Sequence, residues 1–231
     1  MTFEHPFFRR SDKEQRRFQF KLGLASLVVL LVSGGLLFAV VQLPLLLLVL
    51  AVEFAVVSSI IAPFFDVPAL VRSGKLRYYS PFLLAERERN GTVVLHAGTL
   101  FDSWFLFPGE MPAGDRKRLA LAGIVNGLIQ LIEEHTTCEN RADRSASTVR
   151  ITSYILNERN AQRLGLERRS TDAMQKFILY YNYFNLTASF SLLHRHLRFP
   201  SIRSVQTFEG KLAELAEQKA RLEALRDRLE R

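Results

Sequence analysis

The chain has 231 residues, 48% of them hydrophobic, and a formal net charge of +8, enough for one domain with a real core plus an appendage. A single cysteine excludes an internal disulfide and a thiolate-rich metal site, and it fits a reducing compartment. No basic stripe with aromatic stacking positions accompanies the positive charge, so no nucleic-acid partner is expected.

Residues 1–21 form a basic arm. Arg9, Arg10, Lys13, Arg16, Arg17 and Lys21 alternate with Phe7, Phe8, Phe18 and Phe20. Such a segment serves as a topology signal and suits an anionic headgroup surface. Residues 22–65 follow with one ionisable side chain, Glu53. Their length suffices for two bilayer crossings of about 20 residues each. Gln42, Leu43 and Pro44 mark a turn, so the reading is a transmembrane hairpin with spans near 22–41 and 45–64. The apolar run is too long for a signal peptide, whose core is about 7–15 residues. Lys and Arg flank both ends of the hairpin and are missing from its turn. The expected location is therefore an integral position in a bacterial inner membrane, with both termini cytoplasmic and the lipid bilayer as first partner. Glu53 falls near the middle of the second span, where an acid is costly and marks a site for scrutiny. Ser26, Ser33 and Gln42 are its candidate hydrogen-bond partners. Ser33, Gly34 and Gly35 permit close helix packing.

Residues 66–200 read as a cytoplasmic α+β domain, with a small antiparallel sheet packed by helices. Pro63 and Pro68 bracket the exit from the second span. Leu76–Ser80 is a predicted strand. Asn90-Gly91 is a strong hairpin signal between Phe82–Arg89 and Thr92–Ala97, because both turn residues need positive φ. Leu84, Glu86 and Glu88 alternate poorly with their neighbours, which predicts one exposed hairpin edge. Thr99–Phe107, bulky and aromatic, reads as a third strand of a meander. A helix from Asp115 to about Glu134 carries its apolar stripe on Leu121, Ile124, Val125, Leu128, Leu131 and Ile132. A polar loop with Cys138 precedes a strand at Thr148–Leu156. A short helix from Asn157 ends at Gly165, and Leu166–Arg169 is a brief strand. From Ser170 or Thr171 to about His196 the pattern predicts one long aromatic helix packed across the sheet. A second placement lays its aromatic face on the membrane interface.

Residues 201–231 contain an amphipathic, coiled-coil-like helix from Phe208. Phe208, Leu215, Leu222 and Leu229 recur at intervals of seven. The companion positions are mixed, since Leu212 and Leu225 are apolar but Lys219 and Arg226 are not. The expectation is a separable seam for a homo-oligomer or a protein partner. On that expectation, charges at Leu215 and Leu222 abolish association and spare the fold.

Catalytic signals are sparse. His96 and Asp102 fall on adjacent predicted strands, and such a pair can orient a base, but no nucleophile motif accompanies them. His194 and His196 are two apart at a helix end, too divergent to share a metal. No phosphate-binding loop, HExxH or paired CxxC is present. No catalytic residue, cofactor or metal is expected. Residues 157–166, Asn-Glu-Arg-Asn-Ala-Gln-Arg-Leu-Gly-Leu, resemble the late strand–helix segment of the GNAT acyltransferases. That resemblance covers ten residues and implies acyl transfer. The glycine-rich turn by which that family holds the coenzyme A pyrophosphate is absent, and the long aromatic helix departs from its pattern. The leading expectation is a membrane-anchored interaction or scaffold protein. The alternatives are a membrane-bound acyltransferase-like enzyme and a small transport subunit using Glu53.

Overall fold

The computed structural model describes residues 3–39, 42–86, 90–137, 147–153, 158–170, 173–201 and 205–230. Two long apolar helices come first. Helix α1 spans Asp12–Phe38 and α2 spans Leu43–Ile61, and both are long and apolar enough to cross a membrane. They pack on each other, while Leu31, Leu36, Leu47 and Phe54 are exposed along their outer sides. Helix α1 starts ten residues earlier than the hydropathy pattern implies. Ser11 and Glu14 form a capping box: the Ser11 N–H donates to Glu14 Oε2 at 2.9 Å, and the Glu14 N–H returns to Ser11 Oγ.

The arm is accordingly no free segment. Phe7 is fully buried in a cluster with Phe64, Val67, Tyr78, Leu100 and Phe101. Gln19 Nε2 donates to the Phe64 carbonyl at 2.9 Å, and the Arg72 guanidinium donates to Gln15 Oε1. Phe64 and Arg72 belong to α3, Pro63–Arg72, which follows α2 directly with Pro63 in its first turn, where a missing N–H costs nothing. Gly74, at φ +68°, turns the chain out of α3.

Among the described residues the sheet has six strands and is mixed, not small and antiparallel as the sequence reads. Strands β1 (Leu76–Ser80), β2 (Leu83–Glu86) and β3 (Thr92–Ala97) form an antiparallel meander. Asn90 and Gly91 adopt positive φ at its second turn. Strand β4 (Thr148–Ser153) then lies parallel to β3, with Leu95 opposite Ile151. Parallel pairing needs a crossover. Helices α4 (Leu100–Leu106) and α5 (Ala113–Thr137) lie in that connection. Helix α6 (Glu158–Gln162) and β5 (Glu167–Arg169) follow, with Gly165 at φ +74° between them. Strand β6 (Gln206–Lys211) inserts between β4 and β5, so the order is β1-β2-β3-β4-β6-β5.

Helix α4 replaces the expected third strand. Thr99 caps it, and Asp102 completes the box by accepting from the Thr99 N–H and Oγ1. The Thr-x-x-Asp spacing outranks aromatic content here, because it satisfies donors that a strand would leave to a neighbour. Strand β2 is covered on both sides. Leu83 and Ala85 join the α5 side of the sheet and Leu84 joins the Phe7 cluster. Its poor alternation reflects two buried faces, not an exposed edge.

Helix α5 buries Val125, Leu128, Ile129, Leu131 and Ile132, whereas the expected stripe member Leu121 is 44% exposed. The backbone of α5 meets the β1–β2 corner at Gly127. A Cβ there would stand 2.6 Å from Leu83 Cβ, which the main chain holds in place, and 2.6 Å from Ser80 Oγ. Gly127→Ala is expected to cost about 1–3 kcal/mol through forced separation of α5 and the sheet. Thermal melting in detergent checks this. Gly114→Ala on the same helix, with nothing within 4 Å, is the control and should leave the midpoint unchanged.

The long aromatic helix is two helices, α7 (Ala173–Tyr181) and α8 (Tyr183–His194), interrupted at Asn182. Helix α8 packs on α2, α4 and α5 and not across the sheet. Arg195, at φ +61°, ends it.

The heptad seam is also redistributed. Phe208 lies in strand β6, and the helical part is α9 (Leu212–Glu217) followed by α10 (Lys219–Glu230). Phe208, Leu215 and Leu222 are 0%, 1% and 2% exposed, and Leu229 packs beside them. Leu212, Leu215 and Leu222 join the cluster formed by α5 and the sheet, and Lys219 Nζ reaches Glu133 on α5 at 2.9 Å. The seam faces its own domain. Gly210 is the local reason for the strand: its missing Cβ lets β6 pass 2.4 Å from the Gly165 carbonyl oxygen, measured from where that Cβ would stand.

Candidate functional site

A cleft lies at the base of the two apolar helices. Its volume is about 830 Å³. Helix α1 contributes Phe18, Lys21 and Leu22, α2 contributes Ile60 and Ile61, and α3 contributes Phe64. Leu100 and Trp104 of α4 and Leu192 of α8 close the other wall. Among the described residues four basic side chains line it, Lys21, Arg116, Arg195 and His196, and no Asp or Glu does.

These cations have different tasks. Arg116 is buried and fully engaged. Its guanidinium donates to the carbonyls of Leu192 (2.6 Å), Gly109 (2.9 Å), Pro108 (3.0 Å) and Met111 (3.0 Å). It therefore clamps α8 to the α4–α5 connection and fixes one wall of the cleft. Lys21, Arg195 and His196 are exposed at its mouth, and none of them forms an ion pair among the described residues. Arg195 spends one N–H on the Glu110 carbonyl at 3.2 Å. Ser191 is committed to its own chain, accepting from the Arg198 N–H at 3.0 Å. The cleft thus combines an apolar lining with basic side chains at its mouth.

The predicted His96–Asp102 pair does not assemble. His96 stands on the exposed side of β3 with Nε2 2.8 Å from Glu86 Oε1. Asp102 is fully buried on α4. Its Oδ1 accepts from the Tyr78 hydroxyl, and its Oδ2 accepts from the Thr99 N–H and hydroxyl. The histidine beside it is His5, whose Nε2 lies 3.6 Å from Asp102 Oδ1. The His5 ring stacks between Phe101, at 4.7 Å, and Tyr78, at 5.3 Å, and its Nδ1 accepts from the Phe7 N–H. Burial lowers the His5 imidazole to about 4 and pushes the Asp102 carboxyl up to about 6. This closed cluster pins the N-terminal segment to the domain.

Glu53 reaches across the helix pair. Its Oε1 accepts from Ser33 Oγ on α1 at 2.5 Å, the partner Ser33 being one of the three candidates. His194 is buried with Nδ1 2.8 Å from the Phe190 carbonyl, and His196 stands at the cleft mouth. Cys138 and Asn157 lie outside the described residues. The remainder of the acyltransferase-like fragment builds the α6–β5 corner and contributes nothing to the cleft. Among the described residues no group of three His, Cys, Asp or Glu side chains stands together as metal ligands do.

Sequence reasoning missed the cleft because its walls come from six helices spread between Phe18 and Leu192. The one local signal was Lys21 directly before Leu22, a cation at the end of the apolar stretch. No family model, curated protein or solved structure matches the chain.

Proposed function

We propose that the protein is an integral membrane protein that binds an anionic amphiphile, a molecule with hydrocarbon and a phosphate or carboxylate head, in the cleft beneath its helical hairpin. The observation that carries this reading is the position of the cleft. Leu22 opens the apolar part of α1, and Ile60 and Ile61 end α2, so hydrocarbon can pass from the bilayer edge into the cleft without crossing water. Lys21, Arg195 and His196 sit at the mouth, where the head of such a molecule would stay hydrated and paired. A volume of about 830 Å³ lies within the usual range of ligand sites, roughly 300–1,000 Å³. The Lys and Arg distribution around the hairpin supports a cytoplasmic side for the cleft. The scaffold reading becomes a specific one: the α+β domain senses or presents a lipid-like molecule at the membrane surface.

The test is binding of a fluorescent lysophosphatidic acid to the full chain in detergent, with an uncharged monoacylglycerol as comparison. Each cation near such a head contributes on the order of 1 kcal/mol. Lys21→Glu with Arg195→Glu reverses two of them and should weaken the anionic probe at least about tenfold. The uncharged probe should be little affected. Equal affinity of both probes for wild type and variant would refute the reading.

A further inference from the structure

Helices α7 and α8 distribute their residues the wrong way round for a water-facing element. On α7, Phe177, Ile178, Tyr180 and Tyr181 are 66%, 50%, 63% and 54% exposed. Leu179 between them is half-buried, so the described turn is apolar on nearly every side and has little protein cover. Phe184 opens α8 exposed as well, while Asn185, Thr187 and Ser189 are buried. A helical turn that is apolar on nearly every side belongs in a core or at a lipid surface, here in a helix that also carries Gln175 and Lys176. This one is not in the core.

Its position supplies the solvent. Ser59, in the last turn of α2, donates from Oγ to the Tyr181 carbonyl at 2.9 Å. Helix α8 packs along α2. The exposed aromatic surface therefore stands beside the end of an apolar, membrane-length helix, level with its final turn. Beyond α8 the chain exposes Leu197, between Arg195 and Arg198, and Phe199, directly after Arg198. Aromatic rings with polar tips, flanked by arginines, match the boundary between headgroups and acyl chains.

We infer that α7 and the start of α8 lie in the membrane interface as a third, non-spanning contact with the lipid surface. This rests on the membrane reading of α1 and α2 but not on the cleft's ligand. The arrangement orients the α+β domain. A hairpin alone leaves the domain free to swivel about its axis, and a lateral aromatic contact fixes the face turned toward lipid. It also keeps the mouth of the cleft, on the C-terminal side of α8, against the headgroups.

The experiment uses the full chain in nanodiscs containing anionic lipid. Cys138→Ser removes the native thiol, and single cysteines for spin labels are introduced as Phe177→Cys, Tyr181→Cys, Leu31→Cys and Arg228→Cys. Collision with oxygen reports lipid, and collision with a water-soluble nickel chelate reports water. Leu31→Cys should be strongly oxygen-accessible and Arg228→Cys strongly nickel-accessible. The inference expects the labels at 177 and 181 to prefer oxygen, at a shallower depth than 31. Nickel access at 177 and 181 with lipid access at 31 overturns the inference and leaves the spanning hairpin standing. Protection of 177 and 181 from both reagents also overturns it, because a second copy or a protein then covers the face. Water access at 31 overturns the membrane reading itself, and the inference falls with it.

Discussion

Leu215→Asp combined with Leu222→Asp is expected to abolish the folded state. Both side chains are essentially absent from the surface and enter the cluster built by α5 and the sheet. Losing the burial of each leucine costs about 2–3 kcal/mol. A carboxylate placed there without a partner adds several kcal/mol more or must bind a proton. The sum for two sites exceeds much of the roughly 5–15 kcal/mol that separates folded from unfolded domains. No cooperative melt should remain, and the protein should aggregate when taken from the membrane. Leu225→Asp on the same helix is the control: Leu225 is exposed, and its midpoint should move little. A double mutant that melts like wild type would show that α10 is the detachable interaction helix its heptads suggest.

The second large effect is a pair of opposite pH dependences hidden in the wild type. Burial lowers His5 from its ordinary 6.5 to about 4, so between those values the unfolded chain binds more protons than the folded one. Stability from this group is complete above pH 6.5 and is lost as pH falls toward 4. Burial raises Asp102 from its ordinary 3.8 to about 6, so in that window the folded chain binds more protons. Stability from this group is lost as pH rises from 4 toward 6. The two slopes nearly cancel between pH 4 and 6. His5→Phe keeps the ring stack on Phe101 and Tyr78 and leaves the Asp102 slope alone, so that variant should become more stable on acidification relative to wild type. Asp102→Asn leaves the His5 slope alone and should become less stable. Each window of about two pH units corresponds to roughly 2–3 kcal/mol. Denaturant midpoints measured at pH 4.5 and 7 for the three proteins check the result. Parallel curves would mean that His5 is open to water and the N-terminal segment undocked.

The parts legible in the sequence were those fixed by local rules. Asn90-Gly91 specified its turn because two consecutive positive φ values leave few residue choices. The length and hydropathy of residues 22–65 specified two long apolar helices, and the spacing of Val125, Leu128 and Ile132 specified most of the buried side of α5. The failures share a cause. The aromatic content of Thr99–Phe107 suggests a strand, although the Thr99–Asp102 box beside it specifies a helix start. Phe208 belongs to a heptad by count, but Gly210 and the vacant edge of β4 draw the segment into the sheet, a long-range effect that periodicity does not contain. The mixed sheet itself depends on β3 and β4 running parallel, which no residue announces. His5 was overlooked because the arm read as surface charge. The cleft is invisible for the same reason as the sheet: its cations, Lys21 and Arg195, come to line one cleft only after α8 has packed on α2.

Strand β6 is made after both of its neighbours yet lies between them. While the chain is being synthesised, the free edge of β4, bearing Val149 and Ile151, waits for about fifty further residues before Gln206 arrives, several seconds at roughly 5–20 residues per second. Strand β5 has no sheet to join until then. An open edge held for that time is a template for any other extended segment. The segment with the best match is the β6 of another nascent copy, so crowded synthesis on one patch of membrane would favour exchange of β6 between chains. Such swapped pairs would carry every native contact and still be dimers, distinguishable from the monomer by size and not by spectroscopy.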